Sequence, residues 1–125
     1  MTAFTAIART AFSLAALAAA AVSVPVSAQS ADGLDRRVQI VNRSSQAILY
    51  VRGSPTSDPS FGDDRIPDRV VGSGQSVVVD FDSGTRHCQY DLRVTLADGS
   101  NIDRMNVNVC RVSRWTIGDR SNQLR

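Results

Sequence analysis

The chain has 125 residues and a formal net charge of +2, made by 14 arginines against 12 aspartates with neither lysine nor glutamate. Charge this balanced and this dispersed argues against a nucleic-acid partner, because binding to a phosphate backbone rests on clustered positive charge. The length suits one domain and not two.

Residues 1–10, MTAFTAIART, carry a single cation, Arg9, and no acid. Ala11 to Val24 follows as an uncharged apolar run, Pro25 breaks it, and Val26-Ser27-Ala28 sets compact residues before Gln29. That order is the signature of a helical secretory signal peptide, residues 1–28, cut after Ala28. The apolar run is shorter than the roughly 20 residues a membrane span requires, so no permanent membrane anchor is expected after cleavage. The leader has no adjacent arginine pair. The expectation is therefore export by the general secretory route to the periplasm or the medium.

Gln29 to Asp35 is small and polar and reads as a flexible segment. A β domain is expected over 36–118, with 119–125 as a polar tail. Val38, Ile40 and Val41 form one apolar run, ending at Asn42-Arg43-Ser44-Ser45. Ala47, Leu49 and Val51 alternate in a second, ending at Gly53-Ser54-Pro55, and the two runs suggest a hairpin. Ser54 to Asp68, with three prolines and four aspartates, reads as one long loop. Val77, Val79 and Phe81 then alternate inward after the Gly72-Ser73-Gly74 turn.

The clearest pattern spans residues 88–110. Tyr90, Leu92, Val94 and Leu96 share one face, with Asp91, Arg93 and Thr95 on the other. Asp98-Gly99 is a strong hairpin turn, and Met105, Val107 and Val109 are assigned to one face of the return strand. Cys88 and Cys110 lie symmetrically about Gly99, and two cysteines in an oxidising compartment predict a disulfide. Cys110 is out of phase with Val107 and Val109, which a bulge or an early strand end would reconcile. A last strand over Val112 to Ile117 places Trp115 and, with Tyr90, completes the expected core. Six short strands without helical periodicity predict an all-β fold, a small antiparallel β-sandwich or barrel.

The segments FGDDRI (61–66), GSGQSVVVDF (72–81), CQYDLRVTLADG (88–99) and NVCRVSRWTI (108–117) resemble a family of small exported alphaproteobacterial proteins. Those proteins combine a leader, a Ser/Pro-rich loop ending in aromatic-Gly-Asp, a C-x-Y-D-x-R strand with a D-G turn, and a second cysteine. Phe61 stands where that family places tryptophan. Some members carry an argininosuccinate lyase or Tat-pathway signal label, but no segment here matches the catalytic segments of such a lyase. The resemblance implies no established activity.

Within the long loop, Asp58, Asp63, Asp64 and Asp68 are candidate calcium ligands, since calcium takes six to eight oxygens. The EF-hand pattern is absent, because its closing glutamate does not occur in this chain. The same loop offers Phe61, Asp63, Asp64 and Arg65 as an interaction surface, long loops in compact domains being the more often functional ones. Its acidity contrasts with Arg111, Arg114, Arg120 and Arg125 near the end of the chain, an asymmetry that could orient a partner. His87 is the lone histidine. It has no G-x-S-x-G elbow to serve and reads as a surface residue at a strand entry. Asn42-Arg43-Ser44 matches a glycosylation acceptor, which a bacterial-type leader argues against. These readings predict a non-catalytic binding module with a protein partner and no cofactor, and a metal-binding domain as the alternative.

Overall fold

The computed structural model describes residues 29–125; the expected leader lies outside the described residues. Seven strands follow in order: β1 (Arg37–Asn42), β2 (Ile48–Pro55), β3 (Ser76–Asp80), β4 (Gln89–Leu96), β5 (Asn101–Asn108), β6 (Arg114–Ile117) and β7 (Asn122–Leu124). They form two sheets, one in the order β3-β1-β6-β7 and the other in the order β2-β4-β5. The all-β expectation holds, and no helix of the described residues is long and apolar enough to cross a membrane.

Three details of the expected architecture change. The sheets are not purely antiparallel, because β1 and β6 run parallel. A seventh strand forms within the segment read as a polar tail, with Asn122, Gln123 and Leu124 opposite Ile117, Thr116 and Trp115. The expected hairpin between the first two runs does not form, since β1 and β2 lie in different sheets. Asn42 is the physical reason. It is fully buried, its Nδ2 donates to the Gln46 and Val71 carbonyls (2.7 and 2.9 Å), and its Oδ1 accepts from Ser44 N–H and Oγ. The segment read as a turn is thus a corner carrying the chain from one layer to the other. In the folded domain the Asn42 amide is therefore enclosed and fully hydrogen-bonded, not displayed at the surface.

The core lies between the layers. Val77, Val79 and Phe81 point into it, as do Tyr90, Leu92, Val94 and Leu96, and Trp115 is fully buried. Each such side chain contributes roughly 1.5–3 kcal/mol through removal from water. Trp115 Nε1 donates to Asn122 Oδ1 at 3.0 Å, and Arg104 Nη1 reaches the same oxygen at 3.2 Å, which joins the two sheets along one side.

Two bulges set the phase of the second sheet. The β2–β4 register shifts between Ile48 and Tyr50, so Ile48 and Val51 are buried where alternation had placed Ala47, Leu49 and Val51. The β4–β5 register shifts between Tyr90 and Leu92, opposite Met105 and Asn106. Asn106 takes φ 55°, and its N–H is caught by Asp91 Oδ1 at 2.9 Å. The bulge turns Met105 to solvent, 60% exposed, while Val107 and Val109 stay buried. Met105 therefore leaves the face it was expected to share. β5 ends at Asn108, so Cys110 escapes strand phase and pairs with Cys88 across a Cα separation of 5.4 Å.

The segment 29–35 is tied to the domain. Arg36, whose side chain is fully buried, bonds Asp32 (2.5 and 3.0 Å) and the His87 carbonyl (2.7 Å), with Asp82 at 3.6 Å. Arg36 holds the Asp32 carboxyl down at about 2. Burial works against ionisation of Asp82, yet bonds from Ser30 and Gly84 keep it below the ordinary carboxylate value.

Candidate interaction surface

The loop after β2 is a strap laid along the edge of that strand. β2 is the outer strand of its sheet, and an open edge invites pairing with another chain. Here Asp64 Oδ1 accepts the Val51 N–H (3.1 Å) and Arg65 N–H donates to the Val51 carbonyl (2.7 Å). Arg65 Nη2 reaches the Gly53 carbonyl (3.0 Å), and Val71 exchanges two backbone bonds with Ile48 (2.9 and 3.0 Å). The Ser54 hydroxyl also bonds the Ser60 carbonyl. The strap imitates a neighbouring strand, with a carboxylate standing in for a carbonyl.

This geometry divides the loop residues singled out in the sequence. Asp64 and Arg65 face the strand they cover. Asp58 closes a local turn by accepting from Ser60 N–H and Oγ, while Asp63 and Asp68 are exposed. Among the described residues no three of His, Cys, Asp or Glu come together as metal ligands, so the four aspartates are not gathered at one point. Nor does an ion pair join the acidic loop to the arginines at 111–125 among the described residues. His87 is exposed, and its backbone carbonyl, accepting from Arg36, is what the fold uses. No side-chain hydrogen bond links it to a serine or an aspartate among the described residues.

Phe61 leads elsewhere. It packs on the outer face of the second sheet, where the Arg93 guanidinium lies 4.1 Å from its ring centre. Arg93 also makes a two-pronged ion pair with Asp103 on β5, Nε–Oδ1 2.7 Å and Nη2–Oδ2 2.8 Å. Hydrogen bonding to Asp103 raises the Arg93 pKa further above its ordinary value. On the other side Arg93 stands directly opposite Arg52 of β2. Arg52 in turn lies over the Tyr50 ring at 4.9 Å. Tyr50 is 42% exposed and borders a shallow groove of about 420 Å³ that mixes Leu49, Pro67 and Val70 with the charged Asp64, Asp68 and Arg69.

One face thus carries two arginine–aromatic stacks side by side, with exposed Met105 at its β5 margin. Arg93 gives Nε and Nη2 to Asp103, whereas the Arg52 guanidinium over the Tyr50 ring makes no hydrogen bond among the described residues and is the one free to donate. Tyr, Phe, Met and Arg are the residue types enriched where proteins meet. Sequence reasoning reached Phe61 and Arg93 separately; alternation about Val51 already set Tyr50 and Arg52 on the outer face without marking them as a site, and only Met105 was hidden, by the β5 bulge. Compared with protein-family models, curated proteins and solved structures, the chain matches none, so the reading of this face rests on its own chemistry.

Proposed function

We propose that this chain is exported by the general secretory route to the periplasm or the medium, and that the domain acts there by binding a protein partner, without catalysis. The Cys88–Cys110 disulfide suits an oxidising compartment. The binding surface is the outer face of β2-β4-β5, with Tyr50, Arg52, Phe61, Arg93 and Met105 as contact residues and the Tyr50–Val70 groove beside them.

The observation that carries this reading is the adjacency of the two stacks, Arg52 on Tyr50 and Arg93 on Phe61. A rigid sheet presents amphipathic side chains that lose little freedom when a partner covers them. Arg52 and Arg93 are cross-strand partners, and since Asp103 already meets the Arg93 charge, Arg52 is the cation left open to an acceptor group.

The test is affinity capture from the extracytoplasmic fraction with wild-type protein and with the double variant Tyr50→Ala/Arg52→Ala. Both positions are partly exposed, so the variant should melt close to wild type. A partner held near stoichiometrically by wild type and lost by the variant is expected. Equal capture by both proteins would move the interface off this face, and no capture by either would end the binding-module reading.

A further inference from the structure

We propose that the mature protein begins with a pyroglutamyl residue formed from Gln29. The proposal rests on the export reading above, and specifically on cleavage after Ala28, which frees the α-amine of Gln29. That amine and the side-chain carboxamide belong to one residue, at the spacing that closes an unstrained five-membered ring. The amine nitrogen attacks Cδ, an N–C bond forms and the Cδ–Nε2 bond breaks. The departing nitrogen takes one proton from the amine and leaves as ammonia. No oxidant, reductant or second reactant enters.

The fold accommodates this end state. Its grip on the chain begins one residue beyond the cut: Ser30 N–H and Oγ donate to Asp82 at 2.8 and 2.7 Å, and Ser30 Oγ accepts the Arg86 N–H at 3.0 Å. Gln29 itself is exposed, and cutting before it breaks none of these bonds. The ring closes on the amine side of Gln29, so the amide that gives Ser30 its N–H is untouched.

The competing fate of the new terminus is a stable ammonium. Gln29 borders a polar hollow of about 340 Å³ with Asp35, Asp80, Asp82, Arg36 and Arg37. Those carboxylates are already engaged: Asp35 by Arg37, Asp82 by Ser30, and Asp80 by the Asp82 N–H. Cyclisation removes the ammonium charge and leaves no free amine for an aminopeptidase.

The experiment is intact-mass and N-terminal peptide analysis of the full chain expressed in a secreting bacterium and recovered from its extracytoplasmic fraction, beside a Gln29→Ala variant. The expected mass is that of residues 29–125 with the disulfide, short by one ammonia, with the loss confined to the N-terminal peptide and absent from Gln29→Ala. A free amine on Gln29 that persists through prolonged incubation at neutral pH would overturn the proposal. So would a mature terminus at any other residue, which leaves export standing. An uncleaved chain confined to the cytoplasm would overturn the export reading as well.

Discussion

Replacing Gly53 with alanine adds one methyl group against the buried Phe81 ring and Leu92. An ideal Cβ at this position would sit 2.6 Å from Phe81 Cδ1 and Cε1 and 2.7 Å from Leu92 Cδ2. Real Cβ contacts do not come that near, and both neighbours are fully buried side chains with nowhere to swing. The ring or the β2 backbone must therefore shift, and overpacking of this kind costs typically 1–3 kcal/mol. With contacts to two side chains at once, about 2–3 kcal/mol is expected here, a fall in Tm of roughly 10–20 °C for a domain of this size. Urea unfolding followed by the fluorescence of Trp115, the single tryptophan, measures it. Phe81→Leu removes the ring edge that the methyl strikes. The double variant should then lose less stability than the two single variants together, by about 1 kcal/mol or more. A Gly53→Ala protein within about 0.5 kcal/mol of wild type, or strictly additive losses, would refute the steric argument.

Three further outcomes follow from the same structure. Replacing Cys88 and Cys110 together by alanine opens a loop of sequence separation 22, and the chain-entropy estimate for that loop is about 3.4 kcal/mol; equal unfolding midpoints with and without the disulfide would remove the staple from the account. Asp64→Ala orphans the Val51 and Ile66 N–H groups, and should cost about 1–2 kcal/mol. Because it also bares the edge of β2, light scattering should show concentration-dependent self-association, and a strictly monomeric variant of wild-type stability would contradict the strap's role.

The third outcome concerns acid. Asp32, bonded by Arg36, and Asp98, bonded by Ser100 and Gln46, are both held at about 2 against an ordinary 3.8. Carboxyls lowered on folding stabilise the native state above the ordinary value. As pH falls from there toward about 2, the unfolded chain takes up more protons and that stability is lost. Tm should therefore be level near neutrality and decline below about pH 4, with a shallower decline in Asp98→Asn. A decline centred at neutral pH would point to other groups.

Much of the fold was legible in the chain because period-two alternation reports directly on a half-buried strand. Tyr90 to Leu96, the Asp98-Gly99 turn and Val77 to Phe81 read correctly for this reason. What escaped were places where one residue breaks the period. The extra residue at Leu49–Tyr50 and the left-handed Asn106 each invert the phase of everything beyond them, and neither has a local sequence mark. Gly53 was misread in the same way. A glycine before Ser-Pro looks like a turn, yet here it is a mid-strand gap filled by the Phe81 ring.

The candidate site divides along the same line. Phe61 and the loop aspartates were visible as residue types, but the strap's contacts with β2 and the stacks with Arg52 and Arg93 are long-range facts. Alternation, turn residues and two cysteines determined that this chain makes a disulfide-closed β domain, because each acts over a few neighbouring residues or a single hairpin. Which strands share a sheet, which aspartate caps an edge and which arginine meets which ring were decided by tertiary structure alone. Those pairings depend on how two layers bury one common core and satisfy the backbone groups left at its margins.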